Sequence, residues 1–257
     1  MSNAYLNLIN FWRGCPIKQP PYIAPSDKPF INESQISIFS SYKDYVTSNA
    51  FGNNQDQTFH VGLLPIPYVG NLEQAVVFIL MLNPGLGPTD YFGEYENRKI
   101  FQLHIQNLRQ ENKTKYPFHV LNPEFSWYGG FEYWHTKFAD IARFISKSKQ
   151  IDYINSLQFL AQRIACLELI PYHSRSFGLN SLINKLTSVK IMQAYAKDYL
   201  LEKARKKEIT IIVTRSAKNW DLPKVKNVII YGNSEARSAH LNLKSSGGKA
   251  IANQLGL

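Results

Sequence analysis

Cysteine is nearly missing from this chain: Cys15 and Cys166 are the only two in 257 residues. That excludes a disulfide framework, an iron–sulfur cluster and an all-thiolate zinc site, the last two needing about four thiolates. Long apolar runs are missing too, none reaching the roughly 18 residues of a membrane span. The opening MSNAYLNLINFWRGCP has no basic start followed by a long apolar stretch, so no secretory leader is expected. A reducing cytoplasm and no membrane partner are the expectations. Acidic residues are also few, 19 against 29 Lys+Arg.

The rest of the composition suits a folded enzyme-sized chain. Hydrophobic residues make up 44% and aromatics 13%, which supports an ordinary core and removes disordered, collagen-like and coiled-coil readings. The basic excess is uneven. Residues 1–184 hold 15 basic and 14 acidic side chains, whereas residues 185–257 hold 14 and 5. A last segment of net +9 suggests a polyanionic partner, because Lys and Arg that neutralise phosphates release condensed counterions. The plainer reading is a solubilising surface, with KARKKE at 203–208 a solvated helix end.

Along the chain, residues 1–32 are rich in Pro and aromatics and read as an extended arm, and 33–47 have helical spacing. AVVFILML at 75–82, ACLELI at 165–170, ITIIVT at 209–214 and NVIIYG at 227–232 read as buried strands. Helical patterns separate them, at 96–110, at KFADIARFISKS, at IDYINSLQFLAQRI and from LNSLINKL to EKARKK, and SSGGKAIANQL closes the chain. This alternation predicts an α/β fold, a three-layer α/β/α sandwich on a mostly parallel sheet. The expected division is an N-terminal arm and helix over 1–60 packed on a catalytic domain over 61–257. In such sheets ligands bind beyond the carboxyl ends of strands. The loops that matter are then 83–95, 171–178, 215–220 and 234–248.

Those loops carry short motifs. Asn83-Pro84-Gly85-Leu86 follows the first buried strand, and Phe92-Gly93-Glu94 comes soon after. Glu168-Leu169-Ile170-Pro171 ends the second strand, and His240 opens a short polar loop ahead of a glycine-containing helix start. In this order they resemble the uracil-DNA glycosylase superfamily, over roughly residues 60–257: the NPGL of its mismatch-specific branch, the PFGE and NLCP elements of its single-strand-selective monofunctional branch, and its HPS loop. The resemblance implies a uracil-DNA glycosylase-like fold and base excision by nucleotide flipping. Asn83 would position a water beneath C1′, and His240 would donate to the base O2. Gly85, Leu86, Phe92, Tyr172 and His173 would line the base pocket, with Phe92 as a stacking platform. Arg175, Arg215, Lys218, Lys244, Ser245 and Lys249 would contact DNA, and Leu241 or Leu243 would fill the gap left by the flipped nucleotide. No lysine matches a catalytic position, so a monofunctional enzyme leaving an abasic site is implied, with no cofactor or metal and with a monomer expected.

One departure is informative. Where the superfamily reads uracil with an Asn, this chain has Glu168. An ionised carboxylate repels O4 of uracil or thymine and suits the N4 amino donor of cytosine. An enzyme accepting plain cytosine would destroy its host genome, so a modification at C5 is implied, and Gly85 and Gly87 leave room there. The chain thus looks similar to bacterial antiviral glycosylases that remove modified cytosines, such as glucosylated 5-hydroxymethylcytosine, from phage DNA. Each residue also has a plainer role: Asn83 as a turn cap, Phe92 in the core, His240 on a surface loop, Glu168 in an ion pair with Arg163, Arg175 or Arg215. The rival functions are a uracil or mismatch repair glycosylase, an inactive nucleic-acid-binding module of the same fold, and a metal-dependent nuclease, which would need clustered carboxylates.

Overall fold

Short β-branched and apolar stretches cannot sustain helices of useful length, and here they pair instead. In the computed structural model, which describes residues 3–111 and 113–257, seven strands form among the described residues. β1 (Ile36–Ser37) and β2 (Phe59–His60) make a small parallel pair. β3 (Tyr68–Val69), β4 (Val77–Met81), β5 (Ile164–Glu168), β6 (Thr210–Val213) and β7 (Val228–Ile230) form a five-stranded sheet in the order β3-β5-β4-β6-β7. β4 pairs in parallel with β6, and β6 with β7, in registers such as Ile79↔Ile212 and Ile212↔Ile229. Every residue of β4, β5 and β6 is buried, as a sheet covered on both faces requires. This is a mixed α/β fold with a central, mostly parallel sheet flanked by helices, of the general three-layer kind. No helix among the described residues is long and apolar enough to cross a membrane.

The helices are α1 (Asn3–Arg13), α2 (Tyr42–Val46), α3 (Asp90–Glu96), α4 (Arg98–Leu108), α5 (Gly129–Lys149), α6 (Tyr153–Ala161), α7 (Thr187–Ala194), α8 (Leu201–Arg205), α9 (Ala217–Trp220), α10 (Asn233–Ser238) and α11 (Ser246–Gln254). A π-helical stretch, Tyr195–Leu200, joins α7 to α8. The beginning of the arm is therefore not extended. Tyr5, Leu8, Ile9 and Trp12 recur at helical spacing and are buried along α1, while the Pro-rich residues that suggested an extended arm lie beyond it. The 33–47 stretch is likewise broken, into a 3-10 turn, β1 and α2.

The chain divides into two compact units, each made of three separate stretches. The sheet-bearing unit comprises residues 69–81, 112–167 and 196–257. Within it, α5 presents Phe131, Trp134, Phe138, Ile141, Ala142 and Ile145 as one buried stripe. Gly70 (φ +108°) lies against β5, where a Cβ would stand 2.6 Å from the Ile164 carbonyl, so only glycine suits this turn. Trp220, fully buried, donates its indole N–H to the Met81 carbonyl at 2.8 Å and ties α9 to the end of β4.

The other unit comprises residues 1–68, 82–111 and 168–195. Its core is unusually rich in polar side chains. His60 lies between Asp56 (Nε2 to Oδ2, 2.9 Å) and the Tyr91 hydroxyl (Nδ1, 3.2 Å). Glu94 Oε2 accepts the Leu64 N–H at 2.9 Å, and Oε1 sits 2.7 Å from His104 Nδ1. Burial disfavours charge on both partners, pushing the Glu94 carboxyl up to about 8 and the His104 imidazole down to about 4. The pair is accordingly held by one shared proton rather than by opposite charges. The unfolded chain releases the Glu94 proton above its ordinary value of 4.5, and the folded chain keeps it to about 8, so stability is lost as pH rises between them. His104 acts in the opposite sense between about 4 and its ordinary 6.5, which leaves a net loss from 6.5 upward. Glu94→Gln keeps an acceptor for Leu64 and a donor for His104 without the ionisation. In thermal unfolding, this variant should gain on the parent progressively from pH 6.5 to 8.5.

Candidate functional site

The loop after β4 is held by the loop after β5, residue by residue, inside one unit. Asn83 Nδ2 donates to the Pro84 carbonyl (2.9 Å), the Ser174 hydroxyl (2.9 Å) and the Tyr172 carbonyl (3.3 Å). The Ser174 N–H donates to the Pro84 carbonyl at 3.3 Å, His173 Nδ1 meets the Gly85 carbonyl at 2.7 Å, and Arg175 Nη1 donates to the Leu86 carbonyl at 3.0 Å. Asp90, at the start of α3, folds back so that its carboxylate accepts the Gly87 N–H. Tyr172 to Arg175 thus clasp Asn83 to Leu86.

The clasp decides two orientations. Carbonyl oxygens only accept, so the NH2 of Asn83 must face Pro84 and Tyr172, and Oδ1 is left as the acceptor end. By the same logic the Nδ1 of His173 is the N–H that donates to Gly85, and Nε2 is a buried atom with no hydrogen-bond partner among the described residues.

The other residues expected near a base fall into two groups. Gly85 is exposed, and a Cβ there would meet nothing within 4 Å, whereas at Gly87 it would lie 3.5 Å from the Asp90 carboxylate. Phe92 is 39% exposed on α3, with its ring edge-on to Tyr42 at 5.3 Å, so it is not a core residue. Glu168 is buried as the last residue of β5, its N–H donating to the Pro67 carbonyl at 2.8 Å. Leu86 and Tyr172 face inward instead. Leu86 packs with Tyr45, Leu63 and Tyr91, and the Tyr172 hydroxyl donates to Asp27. Arg175 directs Nε and Nη2 to the Asn54 side chain (2.9 and 2.6 Å), which completes its role as a pin between loops.

The sheet-bearing unit contains the second group. His240 is exposed and its ring has no hydrogen bond among the described residues, while its carbonyl accepts from the Tyr231 hydroxyl. Lys137 of α5 donates to the carbonyls of Ser238 (3.1 Å) and Ala239 (2.9 Å), the end of α10. A cation there complements the helix C-terminus and fixes the residues just before His240. Burial and the nearby Arg215 charge pull the Lys137 ammonium down from its ordinary value. Ser245 caps α11, its hydroxyl accepting the Gly248 N–H at 3.0 Å, and Gly248 itself crowds the Asn242 carbonyl so closely that a Cβ would collide. Leu241 is 1% exposed and belongs to the core, so Leu243, half-buried, is the apolar residue of this loop open to solvent. Lys218, Lys244 and Lys249 are exposed, and Arg215 donates to the Arg237 carbonyl at 3.2 Å.

Sequence reasoning missed α10, Lys137 and the role of Ser174 as acceptor for Asn83. The NSEARS stretch has helix formers but no apolar stripe, and Lys137 shows no local sign of its distant partners. No group of three or more His, Cys, Asp or Glu among the described residues is placed to hold a metal ion. No family model matches the chain, and neither does any curated protein or solved structure.

Lys137→Met keeps the apolar stem and deletes the donor to two carbonyls. It should cost about 1–3 kcal/mol in urea unfolding, and faster hydrogen exchange should appear over residues 236–244.

Proposed function

We propose that this chain is a monofunctional DNA glycosylase that flips out and excises a modified cytosine, such as glucosylated 5-hydroxymethylcytosine of phage DNA, and leaves an abasic site as antiviral defence. The observation that carries the reading is the locked amide of Asn83, with Nδ2 committed to Pro84, Tyr172 and Ser174 and Oδ1 thereby left as its acceptor end. Cleavage of an N-glycosidic bond passes through an oxocarbenium-like state that a water must capture at C1′. An acceptor that cannot rotate away supplies the positioning this needs, without being a base.

Further features support the same chemistry. The chain leaves β4 for β5 on one side and later β6 on the other, so the strand order reverses at β4, and Asn83 follows that strand by two positions. The acceptor character of Glu168 favours an amino-bearing pyrimidine over a keto one, and the open space at Gly85 suits a bulky C5 substituent. Lys218, Lys244 and Lys249 take phosphates.

Duplexes carrying glucosylated 5-hydroxymethylcytosine, uracil or a thymine mismatch, treated with alkali after incubation, test the reading. Breaks at the glucosylated base alone are expected, falling at least about a hundredfold with Asn83→Ala. Breaks at uracil alone would assign a repair enzyme, and binding without breaks a non-catalytic module. Breaks that need no alkali and vanish with a chelator would assign a nuclease. Lys244→Ala should weaken binding on every sequence alike, and the salt dependence should flatten by about 0.9 in slope.

A further inference from the structure

The Asn83 loop is clasped by Tyr172 to Arg175, and Tyr172 is itself held from a part of the chain that the motif resemblance does not cover. Asp27 is fully buried and accepts two bonds: Oδ2 from the Tyr172 hydroxyl at 2.8 Å, and Oδ1 from the Ser188 N–H at 2.9 Å. The second bond caps α7, whose own N-cap residue, Leu186, has no side chain able to do so. The Ala24 N–H donates to the Tyr172 oxygen at 3.2 Å, and Thr187 Oγ1 donates to the Ser26 carbonyl at 3.2 Å. Burial and the Asp27 charge hold the Tyr172 hydroxyl well above the ordinary tyrosine value, so it stays protonated and remains a donor.

The backbone of Tyr172 leads directly to the site, because its carbonyl is one of the three acceptors that orient Asn83. Tyr172 offers its ring and hydroxyl to the N-terminal segment and its carbonyl to the loop. We propose that Asp27 is a positioning residue, which fixes the Asn83 loop through Tyr172 and makes the N-terminal segment part of the site. Removing the hydroxyl frees the ring to shift, and the carbonyl shifts with it. Displacements below an ångström at a water-positioning group are costly in rate. The catalytic consequence rests on the proposed glycosylase reading, whereas the mechanical one does not.

Hydrogen exchange of the full chain, read by mass spectrometry over residues 82–90, separates the two. Tyr172→Phe should exchange about tenfold faster there, with β4 and β6 unchanged. Asp27→Asn, whose amide oxygen can still accept from Tyr172, should be intermediate and serves if the first variant fails to fold. Thr187→Val loosens the same segment without touching Tyr172 and should leave loop exchange at the parental rate. On the glucosylated duplex, Tyr172→Phe should lower kcat about tenfold with KM within about twofold. Loop exchange equal to the parent, or acceleration spread evenly over the whole chain, overturns the positioning role. A parent that cleaves nothing, together with the loop-specific exchange change, overturns the glycosylase reading and leaves the brace standing.

Discussion

A primary amide has two ends of nearly equal shape and opposite hydrogen-bonding sense, and which end faces out determines what it can do. At Asn83 two backbone carbonyls and a serine hydroxyl claim the NH2 end together. Each of those acceptors is placed by another constraint. The Pro84 carbonyl is also bound by the Ser174 N–H, the Tyr172 carbonyl belongs to a residue bonded to Asp27, and Ser174 is buried. The loop is consequently defined by its neighbours more than by its own turn chemistry, although Pro84 and Gly85 permit the turn.

Satisfying a loop in this way explains the polarity of the unit that contains it. Asp56, His60, Glu94, His104, His173 and Asp27 all lie inside or at the edge of its core; Asp56 bonds its neighbours Thr58 and His60, whereas His60, Glu94, His173 and Asp27 also reach segments 30 or more positions away. Buried polar groups tolerate few alternative partners, so such a network specifies one arrangement where an apolar core would accept several. The sheet-bearing unit is of the opposite kind. Its strands are apolar except at their ends, where Glu168 and Thr210 stand, and its polar bonds gather at element termini, through Lys137 to the end of α10, Tyr231 and Ser245.

That contrast governs what could be read in advance. Periodicity and run length suffice for buried strands: β4, β6 and β7 fall within the stretches expected of them, as do α4, α6 and α11, while β5 starts one residue early, at Ile164. Motif positions were legible as well, since Gly and Pro after an apolar run mark a loop wherever they occur. The direction of individual side chains was not. Leu86 stands beside exposed Gly85, and Leu241 two positions from half-buried Leu243, and nothing local distinguishes the inward residue from the outward one. Helix α1 was obscured by the prolines that follow it. Asp27 sits in an SDKP turn that would suit any surface loop, and its importance arises from residues some 145 and 161 positions away.

The interleaved path of the backbone also sets a timetable for assembly during synthesis. The polar-cored unit needs residues 168–195, and the sheet needs β6 and β7, so neither can close before those stretches are made. α1 and the segment around Asp27 must wait, apolar faces uncovered, until residues 168–195 have been made. Native pairings of such long sequence separation form slowly. A nascent chain of this design therefore depends on shielding of its early helix, and production of the protein should be more sensitive to chaperone supply than its finished architecture alone would suggest.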